Sequence, residues 1–444
     1  LILGLLGGFL ALLTPCVFPM IPLTVSFFST KNEKAKLYST SYGLFIVLIY
    51  LSLSLPFYFL ENINPEILNQ ISTSPILNFI FFAIFIAFAL SLFGLFDITL
   101  PSSWSNTVDS KSNLYKGLIS TFFMSLTLCL VSFSCTGPIL GTLLVGTLTS
   151  DGGAIDLTYG MLGFGVALAI PFTLLAFFPN IINKLPKSGS WTNTIKVILG
   201  FVELALAFKF LSNVDLIQEW GILKREVFIV IWVLIFIACG LYLIITSRKT
   251  SYIISSLSFI LIGLYMGSSL FTKSTNLSLL SGLLPPEFYS IHNDTNNCPL
   301  GLDCVKDFND GLNKSKINNK PILLDFTGWA CANCRRVEEN TWSVPKVFDL
   351  INNEFVLISL YVDDRTNLNG DEIILLKDKN GNEKILDKVG EKWSAFQTLN
   401  FQNNSQPYYV LLSPNLDILN KPIQYTDTDT YYDWLIDGLN KFKN

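Results

Sequence analysis

Six of the eight cysteines in this 444-residue chain have neighbours that suggest chemistry. Cys331-Ala332-Asn333-Cys334 places two thiols three residues apart, just after the apolar run Ile322-Leu323-Leu324-Asp325-Phe326, which reads as a buried strand. The segment from Cys331 to about Trp342 reads as a helix. The first sulfur then sits at a helix N-terminus, where unpaired N–H groups and the helix dipole favour thiolate, and the second lies one turn on, within reach of a mixed disulfide. The competing readings are half of a zinc site and a buried structural disulfide. Zinc would need a further Cys or His pair, and the chain offers one His, His292, with Cys298 and Cys304 as the nearest second Cys pair. The strand–turn–helix context favours redox exchange. Cys298 and Cys304 themselves flank a turn-rich stretch and read as a small structural disulfide, with a third redox relay as the sharper alternative.

Cys16 and Cys135 pose a different question. Each is followed three residues later by a proline, Pro19 and Pro138, in the middle of a long apolar run. Proline removes a helix hydrogen bond, and broken backbone is tolerated at membrane depth only where it faces protein or water. Two such cysteines could meet near the midplane and form a reversible disulfide; the plain alternative is that both are packing residues, the default for Cys129 and Cys239. Glu203 and Lys209 are intramembrane charges, costly at depth. Burial against other helices is the reading for Glu203, ahead of proton handling, while Lys209 can snorkel from the end of its span.

The elements that must position these residues divide near residue 272. Residues 1–272 hold 13 Lys+Arg and 11 Asp+Glu, whereas 273–444 hold 17 and 23. Apolar runs near 1–30, 37–60, 75–96, 117–148, 156–178, 194–212, 227–246 and 251–271 predict eight transmembrane helices. The loops on one side carry nine basic residues against two on the other, which places the nine-rich side in the cytoplasm and the tail outside it. The Cys/Pro coincidence in spans one and four, an odd number apart, predicts an inverted three-plus-three repeat with two spans appended. Residues 273–297 read as linker and 298–444 as one soluble domain, with a second strand over 355–362, a third from Pro407 and a closing helix over 429–442. Strands alternating with helices predict an α/β layer of thioredoxin-like type, in which Pro407 occupies the place of a cis-proline beside the disulfide or is simply a loop residue entering its strand. The tail is acidic and lacks a basic stripe, which argues against a nucleic-acid partner. The chain opens at Leu1 inside an apolar run, so the natural N-terminus is expected upstream.

These motifs resemble the DsbD family of membrane thiol:disulfide interchange proteins, whose membrane part is related to the CcdA cytochrome c biogenesis proteins. Thr14-Pro15-Cys16-Val17-Phe18-Pro19-Met20-Ile21-Pro22 is similar to the family's first-helix motif, Ser134-Cys135-Thr136-Gly137-Pro138 to its fourth-helix partner, and Leu324 to Cys334 to its C-terminal thioredoxin-like domain. The resemblance implies a protein-disulfide reductase in the bacterial inner membrane with its C-terminal domain in the periplasm. Cytoplasmic thioredoxin would reduce Cys16/Cys135, that pair would reduce Cys331/Cys334, and electrons would pass to extracytoplasmic disulfide proteins, including those of cytochrome c biogenesis. Disulfides alone would carry the electrons, without flavin, haem or metal. Asp325 and Glu338 match family positions that tune the active thiol. The family's N-terminal extracytoplasmic domain has no counterpart in this sequence, which leaves the immediate acceptor open, and Trp329 stands one residue further from the first Cys than in many relatives. The rival from another class is a small-solute transporter or membrane scaffold with a tethered thioredoxin-like domain.

Overall fold

The computed structural model describes residues 2–12, 35–54, 74–95, 118–119, 121–126, 128–129, 153–177, 190–246, 249–271, 277, 280–291, 298–377 and 383–443. Cys16, Pro19, Cys135 and Pro138 lie outside these residues. Among the described residues the first part forms the helices α1 (Ile2–Leu12), α2 (Ala35–Ser52), α3 (Pro75–Leu92), α4 (Gly153–Phe177), α5 (Ser190–Gln218), α6 (Arg225–Thr246) and α7 (Thr250–Ser268). Among the described residues, α3, α6 and α7 are long and apolar enough to cross a membrane. Of the predicted fourth span, residues 118–119, 121–126 and 128–129 are described, and they are helical.

The chain divides into two compact units, one of residues 1–63 and 84–204, the other of residues 64–83 and 205–444. In the first unit, Tyr38, Tyr42, Ile46 and Tyr50 recur every fourth residue on α2, so they form one face, and that face is buried with Leu157, Met161, Phe164 and Leu168 of α4. Lipid tails are as apolar as leucine, so such helices associate through close packing. Gly4 of α1 shows it directly: a Cβ there would lie 2.0 Å from the Gly160 carbonyl oxygen. Cys129 is buried in this same core. Glu203 is buried as well, as its sequence reading expects.

In the second unit α6 and α7 form a hairpin whose crossing is set at Gly240, where the Ser256 hydroxyl donates to the Gly240 carbonyl at 2.7 Å. The tail folds around a four-stranded sheet of β1 (Cys304–Val305), β2 (Ile322–Thr327), β3 (Val356–Tyr361) and β6 (Tyr408–Leu412), in the order β1-β3-β2-β6. β2 runs parallel to β3 and antiparallel to β6. A separate hairpin of β4 (Ile374–Lys377) and β5 (Glu383–Leu386) interrupts the path from β3 to β6. Helices cover both faces: α8 (Phe308–Asn318) and α11 (Val389–Phe401) on one, α9 (Ala332–Val337), α10 (Pro345–Glu354) and α12 (Thr428–Lys443) on the other. Every residue of β2 is therefore buried, which is why its sequence, apart from Asp325 and Thr327, is apolar rather than alternating. The predicted helix after Cys331 is α-helical over Ala332–Val337 and then winds as one π turn over Glu338–Trp342.

Candidate active site

The catalytic candidate sits where β2 ends and α9 begins. Cys331 is the N-cap residue of α9, and its Sγ accepts the Cys334 N–H at 3.1 Å. Cys331 and Cys334 form a disulfide, with Cys331 half-buried and Cys334 buried. This is the geometry of a reactive outer sulfur and a shielded resolving one, because the N–H that caps the helix also stabilises negative charge on the outer sulfur. The Gln406–Pro407 peptide is cis and leads into β6, the antiparallel neighbour of β2. Cys298 and Cys304 form a second disulfide, which closes the turn that starts edge strand β1.

The loop between β2 and the first sulfur is held by residues that sequence reasoning did not select. The Asp363 carboxylate, just past β3, accepts the Trp329 N–H at 2.7 Å and the Ala330 N–H at 3.0 Å. Gly328 makes room for it, since a Cβ there would lie 2.8 Å from Asp363 Oδ2. The Trp329 ring stacks on Tyr361 at 4.1 Å, its indole N–H donates to Asp364, and the Lys306 ammonium lies 4.8 Å from the ring centre. The signal for Asp363 was available in outline, because functional groups in α/β sheets gather beyond the carboxyl ends of the strands.

Both acids named from the sequence are buried beside Arg335, the residue after Cys334. Glu338 pairs with the Arg335 guanidinium at 2.8 Å. Asp325 accepts the Ser359 hydroxyl at 3.2 Å through Oδ2, while its Oδ1 has no partner among the described residues. Burial pushes the Asp325 carboxyl up to about 7, against the opposing pull of Arg335 and the Ser359 hydrogen bond. Burial likewise raises Glu338, with Arg335 again opposing.

The sign of the effect follows. A carboxyl whose folded value exceeds its unfolded one binds more protons in the folded state. The Asp325 contribution to stability therefore falls as pH rises from the ordinary carboxylate range, about 4, through about 7, and levels off above it. In the tuning role that the family resemblance implies, an ionised Asp325 would oppose a second negative charge on Cys331. Replacing Asp325 with asparagine is expected to remove that stability loss and to lower the pH at which reduced Cys331 becomes nucleophilic by about 1 unit. The pH profile of iodoacetamide labelling at Cys331 measures this, and a profile unchanged from the parent protein would show that the carboxylate does not reach the thiol.

Apolar spanning helices joined to a thioredoxin-like module with a vicinal cysteine pair define a multi-pass membrane protein of the thiol–disulfide class. Residues 1–214 match the family model for the cytochrome c biogenesis protein transmembrane domain, and residues 303–414 match a thioredoxin-like model. The thiol:disulfide interchange protein DsbD of Campylobacter jejuni is 28% identical over 372 residues, covering 81% of this chain and 61% of its own length. The DsbD of Pseudoalteromonas atlantica is 25% identical over 355 residues, covering 77% of this chain and 56% of its own. That of Haemophilus influenzae is 34% identical over 218 residues, covering 45% and 35%. Together these matches support a DsbD-family protein. It spans 61% of the length of the Campylobacter relative and less of the other two.

Proposed function

We propose that this protein is a membrane thiol:disulfide reductase that relays electrons from cytoplasmic thioredoxin, through Cys16 and Cys135, to Cys331 and Cys334 and on to extracytoplasmic disulfide proteins. The observation that carries the proposal is the Cys331–Cys334 disulfide at the mouth of a thioredoxin-like module, in a chain whose membrane part matches a cytochrome c biogenesis domain. On the incoming side, a membrane thiolate attacks the Cys331 sulfur, the Cys331–Cys334 bond breaks and Cys334 leaves as thiolate. The second membrane cysteine then attacks its partner's sulfur, which releases Cys331 and leaves the membrane pair oxidised. Two electrons have moved to the tail. On the outgoing side, Cys331 thiolate attacks an acceptor disulfide, and Cys334 displaces the acceptor from the mixed disulfide, so the tail returns to the oxidised form.

The excess of basic residues on the opposite loops supports an extracytoplasmic tail; the bacterial inner membrane and the periplasm are what the family resemblance implies. Acceptors include cytochrome c maturation proteins, reached directly or through an N-terminal domain. The relay uses disulfides throughout and draws on no flavin, haem or metal. Reconstitution tests it. With reduced thioredoxin, its reductase and NADPH sealed inside proteoliposomes, Cys331 and Cys334 of outward-facing tails are expected to become alkylatable from outside. Tails that stay oxidised while the enclosed thioredoxin is reduced would contradict the relay.

A further inference from the structure

Residues 280–291, read from sequence as linker, are well packed: Leu284 is 1% exposed and Phe288 4%. One set of contacts ties the segment to the turn between α5 and α6. The Tyr289 hydroxyl donates to Asp215 at 2.8 Å and accepts the Gly221 N–H at 2.9 Å. Asp215 also accepts the Ile222 and Leu223 N–H groups, so one carboxylate fixes both the turn and the segment. The Arg225 N–H donates to the Tyr289 carbonyl at 2.9 Å, and its guanidinium donates to the Pro285 carbonyl at 2.5 Å. Glu226 closes the row, accepting the Ile291 N–H at 3.0 Å and the Ser290 hydroxyl.

A second set of contacts meets the cysteine motif itself. Gly282 has φ +79°, and a Cβ there would lie 2.8 Å from the carbonyl oxygen of Ala332, inside Cys331-Ala332-Asn333-Cys334. Phe288 packs against Trp329, with the Arg335 guanidinium 5.2 Å from its ring centre. Leu216 and Ile217 from the end of α5 join Phe288, Trp329 and Tyr361 in one buried cluster. Arg225 reaches Glu339 at 3.4 Å, both side chains nearly buried, and Lys209 of α5 lies within electrostatic range of Arg335 and Glu339.

The two sets differ in strength. Those toward the turn include six hydrogen bonds of 3.0 Å or less, several of them to charged groups, beside an Arg225–Glu287 ion pair at 3.6 Å and a 3.4 Å bond from the Tyr289 hydroxyl to the Asp215 carbonyl. Those toward the module are an ion pair at 3.4 Å, an Asn340–Ser281 hydrogen bond at 3.3 Å and ring contacts. Charge-assisted bonds at the shorter distances are the stronger class, so the weaker seam runs between the segment and the module. We propose that residues 280–291, fixed to the α5–α6 turn, form a seat for the cysteine end of the thioredoxin-like module, held by the Arg225–Glu339 pair and by the close approach of Gly282 to Ala332. While seated, the module has its Ala332 carbonyl covered by Gly282 and Cys331 half-buried, which hinders docking of other proteins at the disulfide but not attack by small thiols. The seat concerns access to the disulfide and is independent of the direction in which electrons flow.

Two reductants of different size test the seat in the full chain carrying Cys16→Ser, a background in which the proposed membrane relay is closed. Reduction of Cys331–Cys334 by dithiothreitol and by added thioredoxin with its reductase is followed by acid quenching, alkylation and peptide mass spectrometry. Gly282→Val and Glu339→Arg are each expected to raise the thioredoxin rate about tenfold, the scale of losing one nearly buried interface charge pair. The dithiothreitol rate should stay within about twofold of the parent, as expected when a seam opens without the module unfolding. Adding Arg225→Glu to Glu339→Arg should bring the thioredoxin rate back toward the parent value. The proposal is overturned if neither variant changes the thioredoxin rate, if both reductants accelerate together, or if the charge swap restores nothing. Any of those results leaves the relay reading intact, because the relay is closed in this background.

Discussion

Replacing Cys334 with serine is expected to abolish turnover and to leave the protein joined to its partners through Cys331. In thiol–disulfide exchange the mixed disulfide is released when a second thiolate attacks it, and in the proposed relay the buried Cys334, one turn from Cys331, is the group that would supply that thiolate. Without it the intermediate must wait for an outside thiol. Non-reducing electrophoresis of cells expressing Cys334→Ser should show new high-mass bands that collapse on reduction. Cys331→Ser should show none of them, because the attacking sulfur is gone. Equal banding in the two variants would reverse the roles assigned to the two cysteines, and an absence of bands in both would argue against an exchange role for the tail.

The second large effect falls on stability. Trp342 is fully buried under β6, its ring 6.0 Å from that of Tyr409, and its indole N–H donates to the Tyr431 hydroxyl at 3.0 Å. Trp342→Ala removes a large core side chain and deprives the Tyr431 hydroxyl of its donor, at a cost of about 3–5 kcal/mol for the truncation. Trp342→Phe keeps most of the ring volume and loses the N–H, so its hydrogen-bond loss is about 1 kcal/mol. Urea titration of the micelle-bound protein, read by pulse proteolysis of the tail, should rank parent, Phe and Ala in that order. A midpoint for Trp342→Ala equal to that of the parent would mean that this cluster does not limit the stability of the module.

How much of this could be read from sequence depended on how local each signal was. Strand β2 and the cysteine pair were legible because both the buried run Ile322–Phe326 and the Cys331/Cys334 spacing are contiguous, and the closing helix was legible from its amphipathic pattern. Asp325 and Glu338 came from family resemblance, and both prove to be buried beside Arg335. Arg335, Asp363 and Lys306 were missed. Asp363 and Lys306 act on partners set by sheet order, as when Asp363 holds an N–H 34 residues away, and no spacing rule marks such a pair; Arg335 pairs locally with Glu338, but its burial beside Asp325 is set by the fold. Edge strand β1, two residues long, is too short to show a period. The segment 280–291 has linker-like surroundings, and its order comes from Asp215 and Arg225 in the distant α5–α6 turn. Cys16 and Cys135 rest on sequence motif and family resemblance, since both lie outside the described residues.

The central claim is that electrons reach Cys331 and Cys334 from the cytoplasm through Cys16 and Cys135. Thiol trapping in cells tests it most directly, with a mass-shifting alkylating reagent applied after acid quench to the parent protein, to Cys16→Ser, to Cys135→Ser and to the parent in cells without cytoplasmic thioredoxin. The relay predicts a reduced tail in the parent and an oxidised tail in the other three. A tail whose redox state is the same in all four would contradict it and leave the membrane part as an anchor or transporter.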